Sequence, residues 1–198
     1  NGIPGPGGIT LRVWNNPNIS NISMGLVSQT DISPQCNGSG PTITCASPGG
    51  AAGVVEEFLF ESAPITLSGV PPATGWIFTY DECCRNAAIT NLQGPGNKGF
   101  TLRAFMYAYN GQNASPCFDS SPLFAERPTT ITCTNYPFTY NHNAYDPELD
   151  SLFYSWAEPL QGISTGGCAS FTSACPPALA FTSGYSMTSP LPGTTQNS

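Results

Sequence analysis

Phe100-Thr101-Leu102-Arg103-Ala104-Phe105-Met106-Tyr107-Ala108-Tyr109 is the stretch on which the fold turns. In an extended chain, Phe100, Leu102, Ala104, Met106 and Ala108 share one face, and Thr101, Arg103, Phe105, Tyr107 and Tyr109 share the other. The first face is wholly apolar and is expected to meet a core. Upstream, Trp76–Tyr80 (WIFTY), Val54–Phe60 (VVEEFLF) and Ile9–Trp14 (ITLRVW) read as further strands. The Asn-rich stretch Asn15–Ser23 has the chemistry of a loop.

The rest of the composition agrees with an all-β chain. The 198 residues include 21 glycines and 20 prolines, which interrupt every stretch long enough to form a helix. A hydrophobic content of 39%, with 11 Phe, 8 Tyr and 3 Trp, supplies enough apolar surface to exclude disorder for most of the chain. Arg12, Arg85, Lys98, Arg103 and Arg127 are the only basic residues and stand singly, so no cationic stripe exists to bind nucleic acid. No apolar run approaches the roughly 20 residues of a helical membrane span.

Eight cysteines among Pro, Gly, Ser and Thr indicate an oxidising, extracellular compartment. Cys36 and Cys45 bracket Asn37-Gly38-Ser39-Gly40-Pro41, turn chemistry that suits a local bridge, and the same logic joins Cys168 to Cys175. Cys83 and Cys84 either close a ring with each other or fan out to opposite sides of a strand. In the second case they reach Cys117 and Cys133, with the connectivity of these four left open. The spacings fit neither a zinc finger nor a Cys-x-x-Cys redox pair. The Pro/Ser segment at Asn113-Ala114-Ser115-Pro116 reads as a linker, giving two modules, residues 1–113 and 114–198, with new strands expected around Thr130, Phe138 and Leu152. The start without Met or an apolar leader, and the end without a closing strand, suggest a processed piece of a longer polypeptide.

Two blocks carry a family resemblance. Trp76-Ile77-Phe78-Thr79-Tyr80-Asp81-Glu82-Cys83-Cys84-Arg85-Asn86, continuing to Ile89-Thr90-Asn91, is followed by Tyr140-Asn141-His142-Asn143-Ala144-Tyr145-Asp146-Pro147-Glu148-Leu149-Asp150-Ser151-Leu152. Together they resemble secreted Bacteroidota cell-surface proteins of the gliding-motility adhesin (SprB-like) type. The resemblance spans roughly residues 50 to 160. It implies export by the type IX secretion system, placement at the cell surface in association with the outer membrane, and tandem antiparallel β-sandwich modules of Ig-like or cadherin-like form. It also implies as partners the other modules of the same polypeptide and a surface polysaccharide, an abiotic surface or another cell. In that lineage Asp-Ser/Thr followed by an aliphatic residue is glycosylated, and Asp150-Ser151-Leu152 has this form, which singles out Ser151.

Asp146, Glu148 and Asp150 alternate along a turn and are the candidate Ca²⁺ ligands. Here Glu148-Leu149 replaces the Asp-Gly of the related block, and Leu149 removes the glycine that eases a left-handed turn, which favours a solvated acidic loop. No other cofactor is implied. His142 is the only histidine, and its Tyr-Asn-His-Asn setting suits a structural hydrogen bond better than a catalytic base. Glu56, Glu57, Glu61, Asp81 and Glu82 could supply a carboxylate pair for glycoside hydrolysis, but no nucleophile motif supports it. Trp14, Trp76 and Trp156 could stack on sugars if exposed. The sequence thus favours a non-catalytic adhesion or display module, with a glycan-binding module as the alternative and a secreted glycoside hydrolase third.

Overall fold

The computed structural model describes residues 8–32, 56–108, 120–126, 137, 139–172, 174–191 and 193. Its regular structure is β, apart from a 3₁₀ turn at Pro95–Asn97. β1 (Ile9–Trp14), β2 (Asn21–Asp31), β3 (Glu56–Glu61), β4 (Trp76–Glu82) and β5 (Phe100–Met106) form an antiparallel sheet in the order β3-β2-β1-β4-β5. β6 (Leu123–Phe124) and β7 (Ala144–Tyr145) form a short separate pair.

The chain divides into two compact units that are not consecutive in sequence. One comprises Asn1–Met24, Ser62–Gly111 and Tyr154–Ser198, and the other Gly25–Glu61 and Gln112–Phe153. The junction expected near residue 113, and the strands expected at Thr130 and Phe138, lie outside the described residues. Leu152 lies in coil.

In the first unit, register places Arg12, Thr79 and Arg103 in one row across β1, β4 and β5, and Trp14, Ile77 and Phe105 in the next. Coil from the far end of the chain lies against this face. Thr101 Oγ1 donates to the Gln161 carbonyl at 2.8 Å, and Asp81 accepts from the Ser164 amide and hydroxyl at 3.3 and 3.2 Å. Ile163 is fully buried beside these ties. Arg85, just beyond β4, donates to the carbonyls of Gly99 and Leu160 at 3.1 and 3.0 Å. Burial lowers its pKa, and the two carbonyl acceptors offset the desolvation. The approach is close at Gly99, where a Cβ would stand 2.6 Å from the Glu82 carbonyl and 3.0 Å from the Gly162 Cα. Backbone bonds from Gln161 to Pro177, Leu179 to Pro159, Gln93 to Ala180 and Thr182 to Asn91 lace the remaining coil together around buried Leu92 and Leu179.

This arrangement corrects the reading of β5 in part. The face expected to meet the core continues the one on which Val13 and Trp76 are buried, through Val13↔Phe78↔Ala104 and Trp76↔Met106, but on β5 itself Leu102 is 62% exposed and Ala104 and Ala108 are exposed as well. On the opposite face Thr101 is only 8% exposed, while Arg103, Phe105 and Tyr107 are exposed. The covering coil offers backbone carbonyls, so the covered face carries polar partners for them, a pattern that hydrophobic alternation does not register. Val13, Ile22 and Trp76 form the apolar core behind β1, β2 and β4.

A second correction concerns Asn15–Ser23. The loop ends at Ser20, where Asn16 Oδ1 accepts the amides of Asn18 and Ile19, and the strand β2 begins at Asn21. In the second unit, the latter half of β2 pairs with β3 from Gly25↔Glu61 to Asp31↔Glu56, with a register shift between Leu26 and Ser28.

Candidate functional site

Along β5, the two-residue period stacks Arg103, Phe105 and, just past the strand, Tyr107 in one row. The Arg103 guanidinium lies 5.3 Å from the centre of the Phe105 ring, and Phe105 stacks on Tyr107 at 5.9 Å with planes 7° apart. Phe171 meets Phe105 edge-on at 6.4 Å, touches Trp14 at 6.5 Å, and takes Arg103 at 5.9 Å. The Trp14 indole N–H donates to Thr79 Oγ1 at 2.8 Å, which fixes the Trp14 ring from behind. Gly75, at φ +75°, makes room for the row: a Cβ there would stand 3.2 Å from the Tyr107 ring and 3.0 Å from the Met106 carbonyl. Phe105 and Tyr107 remain 39% and 55% exposed. The row therefore offers solvent a set of ring edges beside one cation, a surface suited to C–H and hydroxyl groups.

At the other end of β4, Arg12 pairs with Asp81 at 3.7 Å and also reaches Ser164 Oγ at 3.4 Å. Tyr80 donates its hydroxyl to Glu82 Oε2 at 3.2 Å, and Glu82 Oε1 accepts the Cys83 amide at 2.9 Å. Burial, followed by the negative charges of Glu82 and Asp81, pushes the Tyr80 pKa up to about 12. Of the carboxylates considered from sequence, Asp81 and Glu82 adjoin here, while Glu56 accepts from Gln29 in the β2–β3 pair.

Cys83 and Cys84 are bonded to each other, so the alternative in which each reaches a distant cysteine is not the one taken. Cys84 is held at φ 80°. Cys168 and Cys175 are bonded with their Cα atoms 5.8 Å apart. Cys36, Cys45, Cys117 and Cys133 lie outside the described residues.

Asp146 is buried, and its Oδ1 accepts the amides of Glu148 and Asp150 at 2.9 and 3.2 Å. Glu148 turns away to the amide and hydroxyl of Ser120 at 3.1 and 2.9 Å. The two residues thus brace a turn in which Leu149 adopts φ 67°, the conformation for which glycine would serve. Among the described residues, no group of three or more His, Cys, Asp and Glu is placed to hold a metal ion. Ser151 is exposed. His142 contacts the Tyr140 ring edge-on at 4.9 Å and Phe124 at 5.8 Å. Trp76 is buried, Trp14 half-buried and Trp156 37% exposed.

Sequence reasoning did not anticipate Phe171, which joins the row from inside the Cys168–Cys175 loop, nor the anchoring bonds of Arg85. A lone aromatic in a short disulfide loop was the available sign of the first. Among the described residues no helix is long and apolar enough to cross a membrane. The chain matches no protein-family model, no curated protein and no solved structure.

Proposed function

We propose that the chain is a non-catalytic extracellular module of a larger cell-surface protein, acting in adhesion or display. The observation that carries this reading is how coil is made rigid in the first unit. Residues 159–172 and 174–182 are tied down by the Cys168–Cys175 bond and by side-chain donors aimed at backbone carbonyls, Arg85 at Leu160 and Thr101 at Gln161. Such covalent and polar closure suits a weakly charged chain working outside the cell, where disulfides persist. The finer form of the proposal rests on the resemblance: tandem Ig-like or cadherin-like β-sandwiches, exported by type IX secretion and held at the outer membrane, with neighbouring modules and surface polysaccharide as partners.

Protease shaving of intact source cells tests the placement. Peptides of this chain are expected in the shaved fraction, and their retention inside unshaved cells would overturn it. Deleting the segment from the parent protein is then expected to reduce attachment of cells to a surface while leaving export of the rest intact.

Glycan recognition is the second reading, favoured by the exposed Phe105 and Tyr107 beside Arg103. In a glycan-array screen with the isolated chain, a specific signal that is lost on Phe105→Ala with Tyr107→Ala supports it, and silence across the array returns the weight to display.

A further inference from the structure

A cleft of about 300 Å³ opens where β1 begins and β4 ends. Its origin is a parting of neighbouring strands. β1 pairs with β4 only from Arg12↔Thr79 to Trp14↔Ile77, although β1 stays paired with β2 down to Ile9↔Met24. β4 likewise stays paired with β5 out to Glu82↔Phe100. A continued register would set Thr10 against Asp81, but Asp81 instead holds Arg12 and Ser164. Over this interval the facing edges of the two strands have no strand partner in each other, and residues of both line the gap.

The side chains at the cleft define what it can take. Arg12 brings donors, Asp81 and Glu82 bring acceptors, the Thr10 hydroxyl can serve as either, and the Tyr80 hydroxyl, which donates to Glu82, can accept. Two carboxylates against one guanidinium make the cleft unfavourable for anions. Its apolar surface is confined to Ile9 and the Tyr80 ring, which packs edge-on against Phe100 at 6.2 Å, so a wholly apolar ligand would leave the polar groups unpaired. The volume stands at the lower end for ligand sites and is too small for several residues of an added peptide strand. A neutral polyol meets all of these conditions, since each hydroxyl can donate to a carboxylate and accept from the guanidinium at once.

We propose that this cleft binds one neutral pyranose unit of a saccharide in the gap between the strands, held through its hydroxyls by Arg12 and Asp81 from one face of the sheet and by Glu82 from the other, with Thr10 beside Arg12. The inference rests on the glycan reading above and places the sugar at the parted strands, away from the Phe105–Tyr107 row.

The test is an amide-shift titration of the whole chain with the methyl pyranosides of glucose, galactose, mannose and N-acetylglucosamine. At least one sugar is expected to give saturable shifts at Ile9, Thr10, Arg12, Asp81 and Glu82, with a dissociation constant in the millimolar range. Glu82→Gln retains an acceptor for the Cys83 amide and removes the charge, and it is expected to weaken binding roughly tenfold or more. Thr10→Val is expected to weaken it less, and Gln29→Ala, in the β2–β3 pair, to leave it unchanged. Saturable shifts centred on Phe105 and Tyr107 would overturn the cleft and leave the glycan reading standing. No saturable shift with any of the sugars would overturn the cleft, and a silent glycan array would remove the wider reading with it. The wild-type shift map decides the matter without any variant, so a variant that fails to fold does not protect the proposal.

Discussion

The β4–β5 pair and the β2–β3 pair are both antiparallel ladders rich in aromatic residues, but they differ in what reaches them from elsewhere in the chain. On the first, Thr101 and Asp81 bond to Gln161 and Ser164, and the buried Ile163 lies between those two partners in sequence. On the second, Phe58 stacks on Phe60, Gln29 bonds to Glu56, and Leu59 remains 46% exposed. Backbone ladder bonds contribute about 0.5–1.5 kcal/mol each in either pair, so they do not separate the two. Burial does: removing a side chain such as Ile163 from water is favourable by about 1.5–3 kcal/mol, and a half-exposed leucine gains only part of that. Among the described residues, the difference places the deeper burial where a face of the β4–β5 pair meets distant coil.

Truncation at the centre of that contact gives the largest expected effect. Ile163→Ala should lower unfolding free energy by about 2–5 kcal/mol, because it removes fully buried methyl groups and leaves a cavity. Leu59→Ala should cost about 1 kcal/mol or less. Urea denaturation of both variants measures the contrast, and a Leu59→Ala loss equal to that of Ile163→Ala would break it.

A polar counterpart sharpens the same comparison. Thr79 is buried and accepts the Trp14 indole N–H, so Thr79→Val keeps shape and leaves that donor without its acceptor. The expected cost is about 1–3 kcal/mol. Gln29→Ala removes the exposed bond to Glu56 and should stay within about 0.5 kcal/mol of wild type. A similar midpoint shift for the two would show that cross-sheet polar ties matter no more than a surface contact.

The strands were legible where alternation was strong. Ile9–Trp14 is β1 in full, while the readings at Val54–Phe60, Trp76–Tyr80 and Phe100–Tyr109 overlap the observed β3, β4 and β5 with shifted ends. β2 was hidden because Asn21, Ser23, Gly25, Ser28 and Gln29 have the composition of a loop, although Ile22, Met24 and Leu26 keep the two-residue period. The burial of Thr101 on β5 was missed for a related reason: its partner is the Gln161 carbonyl, some sixty residues away, and strand composition carries no record of it. The site shows the same division. Arg103, Phe105 and Tyr107 follow from strand period alone, whereas Phe171 joins them only through the tertiary fold. The parting of β1 from β4 is a matter of register, and the sequences of both strands run through it without a break.

The smallest expected effect is a pH dependence that belongs to β4 and has no counterpart on β2 or β3, neither of which contains a tyrosine. Tyr80 stands at about 12 in the folded chain against an ordinary value of 10.0, raised first by burial and then by Glu82 and Asp81. Between these values the folded state keeps the phenolic proton while the unfolded state has lost it, so the unfolded state binds fewer protons and stability falls as pH rises. The contribution is therefore fully present below about pH 10 and declines progressively toward pH 12. Tyr80 is only half-buried, so solvent screening keeps the slope gentle. Thermal unfolding at pH steps across that window should show wild type losing more than Tyr80→Phe, which has no proton to lose, with the two curves parallel below pH 10. Parallel curves throughout would mean that neither burial nor the neighbouring Glu82 and Asp81 hold the Tyr80 proton in solution, and the polar wall of the β1–β4 cleft would have to be drawn differently.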